Sequence, residues 1–145
     1  MSISYCEEYV SFKGELSDND INELVRAGKF KRIQTDSAAL DKATLKKLND
    51  KYFVSFPEVE LRIYTSGDCD IDGISLMDKL RKLSVESSAS IVNIEEIYSL
   101  ENLKSIDLEA KSIDDRDFLN KLPRGIESLG LKLASKNFDL KEITR

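Results

Sequence analysis

The sequence predicts an α/β fold in which short strands form a parallel sheet, and two features of its pattern support that prediction. The first is a repeat of apolar residues in the form L-x-x-L-x-L, whose central anchors Leu83, Ile106 and Leu129 lie 23 residues apart. The second is the alternation of apolar and polar residues inside each repeat, which is typical of a strand with one buried face. One such unit cannot bury its apolar face alone. We therefore expect the units to stack side by side as a solenoid.

This repeat resembles that of the leucine-rich-repeat family. The segments that carry the resemblance are Leu80–Val85, Leu103–Leu108 and Ile126–Leu131, and Glu58–Ile63 keeps two of the three anchors. The resemblance implies a parallel sheet on the concave side of an arc, with short helices and loops on the convex side. The family's asparagine, three residues after the last anchor, is replaced by Ser66, Ser88, Lys111 and Ala134. The alternative is an ordinary α/β domain in which the spacing arose by chance.

Length and composition indicate one folded domain. The chain has 145 residues, of which 41% are hydrophobic and 34% are charged, a balance typical of globular proteins. We expect irregular N-terminal units over 1–57, clearer repeats over 58–133, and a cap or truncated repeat over 134–145. We find no signal peptide and no apolar stretch near the roughly 18 residues that cross a membrane. With only two cysteines, Cys6 and Cys69, a reducing, cytoplasmic setting is favoured.

The charge is acidic and unevenly placed. The net charge is −5, and it comes from the first hundred residues, because acids and bases balance from Glu101 to Arg145. An acidic domain repels nucleic acid and attracts basic surfaces. The expected partner is therefore a basic protein rather than a nucleic acid or a membrane.

The N-terminal units read in order as strand, helix, strand and helix. Val10–Lys13 is predicted as the first edge strand. A helix should begin after Ser17, which can form a capping pair with Asp20, and should end at Gly28. The segment 30–35 is predicted as a short strand.

A second helix is predicted over 37–49, followed by an apolar run at Tyr52, Phe53, Val54 and Phe56 that should fill the core. In the later units, short outer helices are expected to begin at two capping pairs. These pairs are Asn93 with Glu96 and Ser112 with Asp115.

Several chemistries find no support in the sequence. The chain has no histidine, and it lacks glycine-rich phosphate loops. Asp68, Asp70, Asp72 and Gly73 match the first half of a calcium loop, but Lys79 stands where the bidentate glutamate belongs. Asp114, Asp115 and Asp117 are explained by a helix start, where anions are favourable. We therefore expect no enzyme activity, no cofactor and no bound metal.

The polar positions between the anchors are the candidate binding site. They form three rows across the sheet, and Glu86, Asp107 and Glu109 are expected as an anionic centre, with Tyr64 as an aromatic anchor. We predict a non-enzymatic protein-binding module, at the level of class similar to bacterial immunity proteins that neutralise a nuclease toxin. The alternative is an N-terminal fragment or scaffold subunit of a larger leucine-rich-repeat protein. The candidate residues are Arg62, Tyr64, Lys82, Ser84, Glu86, Ser105, Asp107, Glu109, Ser128 and Lys132.

Overall fold

A mostly parallel sheet of seven strands organises this mixed α/β fold. The structure, a computed structural model, describes residues 3–134. Its strands, in chain order, are β1 (Ile3–Tyr5), β2 (Tyr9–Phe12), β3 (Arg32–Asp36), β4 (Glu60–Thr65), β5 (Cys69–Asp70), β6 (Lys82–Ser87), β7 (Ser90–Val92), β8 (Ser105–Ala110), β9 (Ser112–Ile113) and β10 (Ser128–Leu133). The large sheet has the order β1-β2-β3-β4-β6-β8-β10, and β5, β7 and β9 form a second, small sheet. The large sheet is thus open, and its strands follow the order of the chain.

The predicted register of the repeats is confirmed. Leu61 of β4 lies opposite Leu83 of β6, which lies opposite Ile106 of β8, which in turn lies opposite Leu129 of β10. All of these pairings are parallel. The first three anchors are buried, whereas Leu129 is 37% exposed. The 22- and 23-residue spacings therefore do bring corresponding residues onto neighbouring strands.

The N-terminal helix also follows the prediction, but the edge strand does not. Helix α1 (Asp18–Ala27) begins with a capping box of Ser17 and Asp20 and ends at Gly28, whose φ of 94° suits glycine. The prediction that Val10–Lys13 forms the edge was wrong. The segment Ile3–Tyr5 pairs antiparallel with β2 and forms the edge instead. Glu7 and Glu8 lie in the turn between the two strands. The sequence did not reveal β1 because three residues are too few to show alternation.

The prediction of a single helix over 37–49 was wrong. The chain instead forms a 3-10 turn at Ser37–Ala39, helix α2 (Lys42–Lys47), and a π-helical turn at Leu48–Phe53. Asp36 and Asp41 each cap the turn that follows them, and such local bonds compete with a continuous helix. Tyr52 and Phe53 are fully buried and Phe56 packs against the core, which confirms that these three residues fill it. The prediction was wrong for Val54, which is 51% exposed because it lies on the outer side of the turn.

The outer segments are single 3-10 turns rather than capped helices. They lie at Ile74–Leu76, Ile94–Ile97 and Phe118–Asn120. The predicted cap at Asn93 was wrong, because Asn93 has a φ of 64° and Glu96 instead accepts bonds from the backbone of the preceding unit. The cap predicted at Ser112 was also wrong, because this residue belongs to β9. In each of these units a strand of the small sheet comes before the outer segment, which leaves a single turn where a helix was predicted.

Serine hydroxyls connect neighbouring units at the end of β6. Ser87 donates to the carbonyl oxygen of Gly67 at 2.6 Å and accepts from the backbone N–H of Ala89 at 3.0 Å. Ser88 donates to the carbonyl oxygen of Ser66. These bonds join β6 and its turn to the turn of the unit before it, so side chains still satisfy the backbone between units.

One continuous apolar core joins the large sheet to the small sheet and the outer turns. Thr35 on β3 interrupts it, because its hydroxyl is the one buried side-chain polar atom without a hydrogen-bond partner among the described residues. Among the helices in residues 3–134, none combines the length and the apolar character that crossing a bilayer requires. The cap or truncated repeat predicted after residue 134 lies outside the described residues.

Candidate protein-binding face

The ten candidate residues lie together on one surface of the large sheet. Alternation along β4, β6, β8 and β10 places the anchors in the core and the residues between them on the opposite side. We call this surface the polar face. Strand register forms the three predicted rows. They are Glu60-Lys82-Ser105-Ser128, Arg62-Ser84-Asp107-Gly130 and Tyr64-Glu86-Glu109-Lys132.

Arg62 and Glu86 form the strongest interaction on the polar face. The guanidinium donates two hydrogen bonds to the carboxylate, from Nε to Oε1 at 3.0 Å and from Nη2 to Oε2 at 2.7 Å. A third bond runs from Nη1 to the side-chain oxygen of Gln34 at 3.3 Å. The hydrogen bonds from Arg62 hold the pKa of the Glu86 carboxyl below its ordinary value. Glu86 is therefore a neutralised acid, which corrects the expectation that it is part of an open anionic centre.

Tyr64 is likewise engaged within the polar face. The Arg62 guanidinium carbon lies 4.8 Å from the centre of the Tyr64 ring, a cation–π contact. Tyr64 neighbours Glu86 on the next strand. The ring, the guanidinium and the carboxylate thus form one ordered cluster, in which one side of the ring is already covered. Tyr64 is partly exposed, so part of its ring is open to a partner.

Glu109 is only weakly paired. Its Oε1 lies 3.8 Å from Nζ of Lys132, and the two side chains are 50% and 82% exposed. Exposed pairs of this kind contribute little, because water and salt screen them. Glu109 therefore keeps most of its charge available to a partner.

Asp107 is the open carboxylate of the face. Within residues 3–134 it has no ion pair and no hydrogen bond with another side chain. Its side chain lies over Gly130 on the next strand, and a Cβ atom at position 130 would lie 1.9 Å from Asp107 Oδ1. A larger residue at position 130 would force this carboxylate into a different position. The interior position of a glycine in a strand was the signal for such a close approach.

A pocket of about 370 Å³ opens around Asp107. It is lined by Ser84, Glu86, Asp107, Glu109, Gly130 and Lys132. Ser84 is only 7% exposed, because longer side chains of its own row and the next rise beside it. Gly130 is a lining residue absent from the ten candidates, since a residue without a side chain gives no pattern of charge.

Glu60 adds a second partly buried acid near this pocket. Burial raises the pKa of the Glu60 carboxyl; Arg32 opposes that rise, and the negative charge of Asp107 adds to it. Glu60 and Asp107 are on strands separated by β6, with Lys82 and Ser84 between them. The charge of Asp107 therefore acts on Glu60 across the strand that carries Ser84.

A second cluster lies away from the ten candidate residues, at a cleft of about 920 Å³ near Tyr98 and Lys121. Asp115 accepts hydrogen bonds from Tyr98 Oη at 2.7 Å and from Lys121 Nζ at 2.8 Å. These bonds lower the pKa of the Asp115 carboxyl to about 2. Its donors and acceptors satisfy one another, so we interpret this cluster as structural. It replaces the helix start predicted for Asp115.

The acids of the calcium-like segment do not converge. Asp68 accepts from the backbone of Ser90, Asp70 accepts from the Asn93 side chain, and Asp72 pairs with Lys42 at 3.0 Å. Each carboxylate therefore has its own protein partner. Within residues 3–134, no three acidic, histidine or cysteine side chains are arranged to hold a metal ion.

Comparisons with known proteins return no match. No family model matches the chain, and neither the curated proteins nor the solved structures yield a match. The evidence for a function therefore comes from the chain's own residues.

Proposed function

We propose that the protein is a leucine-rich-repeat-like solenoid that acts as a non-enzymatic protein-binding module. Its polar face would bind a basic partner with one-to-one stoichiometry. The single observation that carries this proposal is the open carboxylate of Asp107, which lies in a pocket at the centre of a broad polar surface. The parallel register, in which each unit contacts the next, supports the solenoid.

The charge of the face supports a basic partner. Glu86 is neutralised by Arg62, whereas Asp107 and Glu109 keep their charge available. The chain as a whole carries a net charge of −5. Complementary charge raises the association rate and disfavours the wrong partners, which is what an inhibitor of a basic toxin or nuclease-like protein requires.

A reducing compartment fits the two cysteines. Cys6 and Cys69 are both free, one exposed and the other buried. Free thiols persist where glutathione keeps them reduced. We therefore propose a cytoplasmic protein that acts as an immunity-type inhibitor inside the cell.

The proposal is tested by capture and by kinetics. Tagged protein is used to capture partners from a lysate of the source cell, and each captured protein is identified, purified and assayed for one-to-one binding. The test variant is Asp107→Lys, and the matched control is Glu95→Lys, the same reversal of charge at an exposed residue of an outer turn. We expect a basic partner whose binding to the unchanged protein weakens as salt is added. Asp107→Lys should slow the association of this partner at least tenfold. Glu95→Lys should change neither the association rate nor its dependence on salt.

Two results would overturn the proposal. One is a partner whose binding is lost with Glu95→Lys and kept with Asp107→Lys, since this places the interface on the other side. The other is the absence of any one-to-one complex with a basic protein. Equal melting temperatures of the two variants show that lost binding is not lost folding.

A further inference from the structure

We propose that the pocket over Gly130 receives one arginine side chain of the partner, with its guanidinium paired to Asp107 and bonded to Ser84 Oγ. This inference rests on the proposed function, and it names the group that the polar face recognises. It follows from the shape of the pocket, from an unused hydroxyl within it, and from the charges around it.

The shape favours a single inserted side chain. The pocket measures about 370 Å³, and its position above Gly130 results from the missing Cβ atom, which would otherwise lie 1.9 Å from Asp107 Oδ1. Glycine at this position therefore lets the exposed Asp107 carboxylate lie over β10 beside the pocket. A cationic side chain in the pocket lies within reach of this carboxylate.

Ser84 is the second, independent observation. It is more than nine-tenths buried, it lines the pocket, and its hydroxyl has no hydrogen-bond partner among residues 3–134. The oxygen of this hydroxyl is not fully enclosed, because Thr35 Oγ1 is the one enclosed side-chain polar atom without a partner among the described residues, so Ser84 Oγ is accessible from the pocket. A donor from a ligand would complete the bonding of Ser84 Oγ, which neighbours Asp107 directly in the strand register.

The arrangement of acceptors around the pocket favours arginine over lysine. The acceptors lie on two strands, a carboxylate on β8 and a hydroxyl on β6, and the exposed Glu109 lies at the rim. A planar guanidinium presents five donors in a fixed fork and loses its hydration more easily than an ammonium group. Glu86 is held by Arg62, so this wall of the pocket is already ordered before binding.

The probe for the test is blocked arginine, N-acetyl-arginine amide, followed by NMR on the ¹⁵N-labelled protein. Blocked lysine serves as the compact cation, and blocked citrulline as the neutral group of the same shape. We expect saturable shifts at the amides of Ser84, Asp107 and Gly130 with arginine, at least threefold weaker binding of lysine, and no saturable binding of citrulline.

Two variants alter the pocket, and one leaves it unchanged. Gly130→Ala places a methyl group where the carboxylate lies, and Asp107→Asn removes the charge while keeping the shape. Each should weaken arginine binding at least tenfold. Glu95→Gln, which removes the charge of an exposed residue on an outer turn, should leave it unchanged. The remainder of each spectrum reports whether the variant is folded.

The outcomes separate this inference from the proposed function. The inference is overturned if citrulline or lysine binds as well as arginine, if shifts are spread over the whole surface, or if Gly130→Ala has no effect. Should a basic partner then still require the polar face, the proposed function stands without the pocket. Conversely, arginine in the pocket without any basic protein on the face supports the inference and rejects the proposed function.

Discussion

Arg62 and Glu86 lie diagonally across β4 and β6 and are joined by two hydrogen bonds, of 3.0 and 2.7 Å. This pair neutralises one acid of the polar face and leaves Asp107, one strand away, without a counterion among the described residues. The pair also links the stability of the fold to pH.

Glu86→Gln should lower the free energy of unfolding at pH 7 by about 1 kcal/mol, since the pair is only partly exposed and doubly bonded. The pKa of Glu86 is lowered in the folded state from its ordinary 4.5. Its contribution is therefore complete above that value and is lost as the pH falls through the lowered folded-state pKa. Urea unfolding from pH 7 to pH 3 should show the difference between wild type and variant shrinking.

Glu109→Gln is the matched control for this effect. Glu109 lies beside Glu86 on the next strand, but its pair with Lys132 spans 3.8 Å and is exposed. Its removal should change the stability by less than about 0.5 kcal/mol at any pH. An equal loss in both variants would show that general surface charge, and not the Arg62 pair, causes the effect.

The anchors should differ in their contribution to stability according to their burial. Ile106 is fully buried, so Ile106→Ala should cost about 2–5 kcal/mol of unfolding free energy. Leu129 is 37% exposed, and Leu129→Ala should cost roughly 1–2 kcal/mol. Denaturant titration of both variants checks the order. The reverse order would mean that β10 is packed more tightly than its exposure indicates.

Thr35 should be a site of stabilisation. Its hydroxyl is buried without a hydrogen-bond partner, so Thr35→Val should raise the free energy of unfolding by about 1 kcal/mol. Thr44 is the control, because it is equally buried but its Oγ1 accepts from the N–H of Leu16 and donates to Asp41, both at 2.9 Å. Thr44→Val should destabilise by roughly 1–3 kcal/mol. Thermal and urea unfolding distinguish the two signs, and a destabilised Thr35→Val would mean that its hydroxyl has a partner.

The two thiols should react at very different rates. Cys6 is exposed, whereas Cys69 is fully buried, and burial raises the pKa of the Cys69 thiol to about 11. Because the thiolate is the reactive form, Cys69 should be inert at pH 8. An aromatic disulfide reagent should titrate one thiol in the native protein and two in denaturant. Native reaction that persists in Cys6→Ser would show that Cys69 is accessible.

Much of the sheet could be predicted because one signal repeats. The alternation around Leu83 and Ile106 reports burial directly, and the equal spacing converts three local patterns into one register. Local capping was predictable for the same reason at Ser17, where both partners lie within three residues of each other. It failed at Asn93, because Glu96 bonds to Gly73 and Ser75 in the preceding unit. No local pattern reports a bond over 21 to 23 residues.

The polar face shows the same limit to what the sequence predicts. Its composition was predictable, because alternation places each polar residue on one side. Its pairing was not, because Arg62 can reach Glu86 only along a diagonal between strands. The open state of Asp107 depends on Gly130 one strand away. Charge counting treats three acids alike, whereas geometry separates one neutralised acid from one open acid.

The agreement between strand order and chain order has a mechanical consequence. From β2 onward, each strand of the large sheet is bonded to the strand before it and the strand after it in the chain, apart from the small-sheet strands. A force that pulls the two edge strands apart loads these ladders in series, so that the weakest ladder opens first and the others follow one at a time. The molecule should therefore lengthen under low tension in discrete steps. Each step would release one unit of 22 to 28 residues, which is the spacing in the chain of the residues that pair across the sheet from Val10 through Ile33, Leu61, Leu83 and Ile106 to Leu129.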